Sequence, residues 1–228
     1  AFSVTTNLVN KGTATFSGVV HGTDGTYTLT ATASGYTTTP TSSSYVISSF
    51  TNGDYRINPA LSSSASVYFS STTAIGGIYP WQVWSSGAWT DVAGPSTTFA
   101  PDTMAIKPPN IYITNGAYVD AGKGGIFNNI IVNFPSSTGT FYSGNTSRGI
   151  IIATGKTLDI KVGYFDVPGR LELQGTASLI VRSNAYLWFD AAFSGIFVRS
   201  SNSTFEVEDN AVVEIDKYMT NHSTAGIW

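Results

Sequence analysis

The sequence predicts an all-β chain in which a short antiparallel stretch leads into a parallel β-helix with three faces. Two observations carry this reading. An apolar-x-apolar step recurs every eight residues, as Leu171-x-Leu173, Leu179-x-Val181 and Leu187-x-Phe189. It reappears as Ile111-x-Ile113 with Val119-x-Ala121, Ile150-x-Ile152 with Leu158-x-Ile160, and Phe205-x-Val207 with Val213-x-Ile215. Alternate side chains of a strand share a face, so each step reads as a short strand with two residues pointing inward. Gly or Asn precedes many steps, at Gly116, Gly155, Asn184, Asn202 and Asn210. These residues tolerate the positive φ that a tight corner demands.

The second observation is register. An offset of 26 carries Leu179, Val181, Asn184, Leu187 and Phe189 onto Phe205, Val207, Asn210, Val213 and Ile215. An offset of 21 carries Ile150, Ile152, Leu158 and Ile160 onto Leu171, Leu173, Leu179 and Val181. Unequal offsets mean that extra residues bulge at corners while inward positions stay aligned. The expectation is about three and a half coils from about residue 106 onward, stacked roughly 4.8 Å apart. The same offset sets Arg182 beside Glu208 on the next coil as an exposed ion pair, with Lys161 as a like charge below. This column reads as structural, with no catalytic purpose.

Composition narrows the function. Of 228 residues only 11% are charged, against a usual quarter, and the net charge is -3. Such a chain has no basic field for nucleic acid or an anionic membrane. There is no cysteine, hence no disulfide framework and no thiolate metal site. No apolar run is long enough for a transmembrane helix, and Ala1 does not open a signal peptide. The expected setting is extracellular, on a bacterial surface. After Ile215 no amphipathic helix or charged coil caps the stack, and residues 1–50 hold too few strands for a closed sandwich, so further coils after Trp228 and further strands before Ala1 are expected.

Residues 1–50 alternate with the two-residue period of half-buried strands, at Ala14-x-Phe16, Tyr27-x-Leu29-x-Ala31 and Tyr45-x-Ile47. Turn signals at Lys11-Gly12, Gly22-Thr23-Asp24-Gly25 and residues 37–44 divide them into three or four antiparallel strands. Gly12-Thr13-Ala14-Thr15-Phe16-Ser17-Gly18, followed by Gly25-Thr26-Tyr27-Thr28-Leu29-Thr30-Ala31-Thr32-Ala33-Ser34-Gly35, resembles the second half of the bacterial Ig-like repeats of large surface proteins. That resemblance implies a partial Ig-like β-sandwich over 1–50.

Gly53-Asp54-Tyr55-Arg56, Trp81-Gln82-Val83-Trp84 and Gly87-Ala88-Trp89 resemble an element of exported Bacteroidota surface proteins that leads into a β-helix. The chain departs from that pattern by a Ser/Ala-rich insertion at residues 59–77. The resemblance implies a junction and aromatic cap over 51–105, then a right-handed parallel β-helix over 106–228, truncated at its C-terminal end. The crossover rule gives the same hand. It further implies type IX secretion, partners in the secretion machinery and at the cell surface, and O-glycosylation at Thr103 within Asp102-Thr103-Met104.

Candidate sites are few. Glu206, Glu208, Asp209, Glu214 and Asp216 form the one acidic cluster; the pairs Glu206/Glu208 and Glu214/Asp216 alternate with inward residues on two successive faces, so they face solvent in two directions and do not converge as glycoside hydrolysis requires. Calcium near Glu206 and Asp209 is the metal alternative left open. His21 and His222 stand apart in separate segments, which argues against zinc. Gly122-Lys123-Gly124-Gly125 lacks phosphate-loop spacing, and no nucleophile elbow is present. Asn145, Asn202 and Asn221 open N-linked sequons that read as turns. Tyr79, Trp81, Trp84 and Trp89 form the one aromatic cluster. They read as a plug for the open end of the first coil, with a sugar-stacking platform as the alternative. No catalytic residue, cofactor or metal ligand is assigned.

The expected role is a structural or adhesive segment of a large exported cell-surface protein, displaying a stiff rod for attachment or gliding. The alternatives are a carbohydrate-binding module or polysaccharide-active enzyme with its active coils elsewhere, and a filament subunit that self-associates.

Overall fold

The computed structural model describes residues 25–28, 30, 41, 43, 45–47, 49–70, 73–93, 107–122, 125–142, 149–190 and 195–215. The chain divides into two compact units, Ala1–Ser49 and Phe50–Trp228. The described residues contain strands and turns and no helix, so none is long and apolar enough to cross a membrane.

In the first unit β1 (Gly25–Tyr27) pairs antiparallel with β2 (Tyr45–Ile47), Gly25 standing opposite Ile47. A bridge between Thr30 and Thr41 extends the pair, their hydroxyls 3.4 Å apart. The other strands expected here, Ala14-x-Phe16 among them, lie outside the described residues, as does His21.

The second unit is a β-solenoid. It opens with β3 (Tyr55–Ile57) and β4 (Ser66–Tyr68), then a hairpin of β5 (Trp81–Ser85) and β6 (Ala88–Asp91). The coils that follow are β7 (Asn110–Ile113), β8 (Tyr118–Asp120) and β9 (Gly125–Phe127), then β10 (Asn129–Asn133), β11 (Thr140–Tyr142) and β12 (Ile150–Ile152). Above them come β13 (Thr157–Asp166) and β14 (Arg170–Leu173), then β15 (Ser178–Val181), β16 (Ala185–Phe189) and β17 (Gly195–Val198). The described residues end with β18 (Thr204–Val207) and β19 (Val212–Ile215).

Like strands of successive coils pair in parallel and build three sheets. The first runs β3, β7, β10, β13, β15, β18. The second runs β4, β8, β11, β13, β16, β19. The third runs β9, β12, β14, β17. The offsets read from sequence hold. Leu158 pairs with Leu179 and Leu179 with Phe205, while Ile150 pairs with Leu171. Gly116, Gly155, Asn184 and Asn210 have φ of 86, 69, 68 and 64° at the corners foreseen. Asn202 does not adopt positive φ. Ser200 makes that turn instead, its Oγ accepting from the Asn202 N–H at 3.2 Å.

Parallel stacking begins earlier than residue 106. Residues 59–77, read as an insertion, contain β4, which pairs with β8 as the first strand of the second sheet. Ala65, Val67 and Phe69 alternate and are all buried, but Val67 aligns with Val119 at an offset of 52, far from the 21 and 26 of the later coils.

Inward side chains fill the solenoid. Ile111, Ile130, Leu158 and Leu179 form one buried column, and Val119, Phe141, Phe165 and Leu187 another. Phe69, Phe141 and Phe165 stack in series at 5.8 and 4.8 Å. Each fully buried aliphatic or Phe side chain contributes about 1.5–3 kcal/mol before entropy is subtracted.

One corner has no loop. Strand β13 serves both the first and second sheets, with a bulge at Lys161 between residues paired to Val132 and Asn133. Gly163 then turns the chain with φ of 113°. The Phe134 ring packs there, and a Cβ on Gly163 would come 2.5 Å from it. A second corner is held by polar side chains. The buried Asp54 carboxylate accepts from the Thr51 and Asn110 N–H groups and from Asn110 Nδ2. Asn129 Nδ2 donates to Asn110 Oδ1 at 2.9 Å, and Asn129 Oδ1 accepts from the Thr157 N–H at 2.9 Å. Stacked identical positions thus satisfy backbone donors that the corner leaves unpaired.

Candidate functional site

The outward positions of the second sheet form two columns, because strands in register align every second residue. One column holds Ser66, Tyr118, Thr140, Tyr164, Tyr186 and Val212. The other holds Tyr68, Asp120, Tyr142, Asp166, Trp188 and Glu214. Asp190 follows two residues after Trp188 at the end of this face. Neither column contains Lys or Arg, so the strip is aromatic and acidic. Tyr164 and Tyr186 stack at 4.7 Å with planes 17° apart, and Trp188 meets Tyr164 at 5.8 Å with its plane tilted 62°. Tyr118 and Tyr142 lie 5.6 Å apart. Parallel stacked rings direct their edges and hydroxyls, rather than their faces, toward a ligand.

Burial pushes the Asp166 carboxyl up to about 6, and the neighbouring Asp190 charge adds to the shift. Burial also raises the Tyr142 phenol, followed by the charges of Asp166, Asp190 and Asp120. Tyr118 moves the same way, through burial and then Asp120. Asp166 Oδ1, Asp190 Oδ1 and Trp188 Nε1 are buried atoms without a hydrogen-bond partner. Two acceptors and one donor are therefore unmatched at one end of the strip. These atoms are closed off from solvent, so the unmatched groups are a cost carried inside the face rather than contacts offered to a ligand.

Around the next corner, on the third sheet, Glu172 is only 4% exposed. Its carboxylate pairs with Arg170, with Arg199 Nη2 at 3.2 Å and with Gln174 Nε2 at 3.2 Å. Arg170 also lies over the Phe197 ring at 5.2 Å. The Glu172 carboxylate is thus paired, while Arg170 Nε is buried without a hydrogen-bond partner.

The aromatic cluster expected from sequence separates into three environments. Trp81 is fully buried, edge-on to Phe69 at 5.3 Å, with Nε1 donating to the Tyr68 carbonyl at 3.2 Å. Trp84 and Trp89 are half-buried on the outside of the first sheet, meeting Phe50 at 5.3 and 4.9 Å, and Trp89 lies 6.4 Å from Tyr112. Arg56 covers Trp89 at 4.4 Å. Tyr79 stands apart, half-buried and outside these ring contacts. Chain alternation in β5 sends Trp81 and Trp84 to opposite sides, which proximity in sequence conceals.

Of the acidic residues, Glu206 is exposed and Glu208 turns toward Arg182, on the first sheet, while Glu214 belongs to the second. Asp216, His222 and Thr103 lie outside the described residues. Among the described residues no three His, Cys, Asp or Glu side chains are grouped to hold a metal ion. Compared with family models, curated proteins and solved structures, the chain matches none.

Sequence reasoning missed Asp166, Trp188 and Asp190. Their alignment needs the offsets from Tyr142 to Asp166 and from Asp166 to Trp188, which are 24 and 22 residues. Those offsets become readable only once β13 is known to turn a corner without a loop.

Proposed function

We propose that the chain is a structural and adhesive segment of an exported bacterial cell-surface protein. The observation that carries this reading is the first sheet, a continuous parallel stack from β3 to β18 over a buried apolar interior. Continuous backbone ladders resist bending, and with no cysteine in the chain the stiffness survives reducing conditions. The resemblance of Gly53-Asp54-Tyr55-Arg56 and of the Trp81 and Trp89 steps to Bacteroidota surface proteins supports export by type IX secretion. The Ig-like resemblance of residues 12–35 supports a stalk, and Asp102-Thr103-Met104 supports a glycan on Thr103.

The test is protease shaving of intact native cells, followed by identification of released peptides. Peptides of this chain should appear before lysis, and Thr103 should carry added mass. Release only after lysis overturns the surface reading.

A further inference from the structure

We propose that the open edge of β6 is a dimer interface: a second copy of this chain pairs with it antiparallel across a two-fold axis at Thr90, joining the first sheets of two molecules through their hairpins. The inference goes beyond the surface reading and does not depend on it.

Backbone direction comes first. Strand β6 pairs with β5 on one side, and among the described residues no strand pairs with its other side. Ser86 and Gly87, with φ of 53 and 85°, close the hairpin as a two-residue turn, so Ser85 faces Ala88 as a hydrogen-bonded pair. Hydrogen-bonded and non-hydrogen-bonded pairs alternate along an antiparallel ladder. Trp84, opposite Trp89, accordingly turns away from β6: its N–H donates to the Asp54 carbonyl at 2.8 Å, and its carbonyl accepts from the Gly53 N–H at 3.0 Å. Trp89 and Asp91 therefore aim their N–H and C=O groups at the open side. The strand contains no Lys or Pro and its register no bulge, the usual defences of an exposed edge.

Charge selects the partner and the register. With Trp89 opposite Asp91 of the second copy, every outward group of both residues is satisfied, since each such pair exchanges both of its N–H···O bonds. Setting Asp91 against Asp91 would oppose like charges, and setting Trp89 against Trp89 would match Asp91 with Gly87, which lies in the turn. On the outward face Arg56 Nε donates to Gln82 Oε1 at 2.8 Å, and Gln82 Nε2 donates to Asp91 Oδ1 at 2.8 Å. Asn58 Nδ2 donates to the same oxygen at 3.0 Å. Among the described residues, the Arg56 Nη groups and Asp91 Oδ2 are left without a partner. The Arg56 guanidinium rests over the Trp89 ring at 4.4 Å, so in this register Asp91 of the second copy arrives beside the ring that Arg56 covers. An isologous interface repeats that charge pair on both sides of its axis, which an uncharged extended peptide cannot do.

The experiment is sedimentation equilibrium of the full chain over a wide range of concentration, and a monomer–dimer equilibrium is expected. Thr90→Lys opposes like charges only in the dimer, and Asp91→Asn keeps an acceptor for Gln82 and Asn58 while removing the charge. Each should weaken dimerisation about fivefold or more. Across the axis the two Thr90 residues form a non-hydrogen-bonded pair with Cα atoms about 4.5 Å apart, inside the disulfide range of about 4.4–6.8 Å. The chain has no cysteine, so Thr90→Cys should give a covalent dimer on oxidation, while Ser85→Cys, on the inner strand of the hairpin, should not. If Thr90→Lys fails to fold by circular dichroism, Asp91→Asn decides. A monomer at every concentration, open-ended assemblies in place of dimers, an unchanged dimer in either folded variant, or equal cross-linking of the two cysteine variants overturns the proposal. Such a result leaves surface exposure standing, and absence from the cell surface leaves the dimer standing.

Discussion

Arg182 reaches one coil upward to Glu208, its Nη1 donating to the carboxylate at 2.7 Å. The same guanidinium reaches downward to Asp159, Nε to Oδ1 at 2.9 Å, and Lys161 Nζ lies 3.9 Å from that carboxylate. One cation thus ties three coils together. The Ser183 N–H and hydroxyl also donate to Glu208 at 3.0 and 3.4 Å, so removing Arg182 leaves the carboxylate held by Ser183 alone. Arg182→Ala should speed amide exchange in β18 and lower the melting temperature. Hydrogen bonds from Arg182 hold the Glu208 carboxyl below its usual range. The contribution is therefore full above the ordinary carboxylate pKa and is lost as pH falls through the lowered one. Variant and wild type should converge in acid, and a pH-independent gap would contradict this account.

Leu179 sits in the buried column between Leu158 and Phe205. Leu179→Ala should cost about 2–5 kcal/mol in urea denaturation, because a stacked core cannot close around the void. A loss below about 1 kcal/mol would mean that the column collapses freely.

Gly163→Ala combines two penalties. A non-glycine residue at φ of 113° is strained, and the new methyl would meet the Phe134 ring at 2.5 Å and the Gly139 carbonyl at 2.9 Å. The expected loss is at least about 2 kcal/mol in chemical denaturation. Phe134→Leu in the same chain should recover only part of it, since the backbone strain remains.

Asp166 titrates at about 6 when folded and near 3.8 when unfolded. The folded chain holds the extra proton between those values, so stability falls as pH rises through that window and the penalty persists above it. Asp166→Asn should raise the melting temperature at pH 8 and change it little at pH 3.5. Asp190, Asp120 and the Tyr118 and Tyr142 phenols share this neighbourhood, so Asp190→Asn should lower the Asp166 pKa. Equal shifts at both pH values would remove the coupling.

The ladder was legible because its inward positions are large and aliphatic. Leu158, Leu179 and Phe205 announce themselves through burial, and the offset that aligns them also predicted the Arg182–Glu208 contact. Asp159 escaped notice although it lies two residues before Lys161 on the same outward side. β4 was hidden because the hairpin of β5 and β6 intervenes before its partner, so Val67 aligns with Val119 at an offset of 52 rather than 21 or 26. The acidic strip was hidden for a related reason. Outward residues obey no hydrophobic rule, so only register across the bulge at Lys161 and the corner at Gly163 could bring Asp166 beside Trp188.

Strand β5 runs antiparallel to β3, Trp81 opposite Ile57, and β6 closes the hairpin against it. That reversal makes the stack directional. Between β7 and β18 a duplicated coil could be inserted with the same hydrogen-bond pattern, but beneath β3 it would have to displace the hairpin first. An engineer lengthening this scaffold should therefore splice copies of whole windings, such as residues 157–177, above the hairpin and leave residues 81–91 untouched.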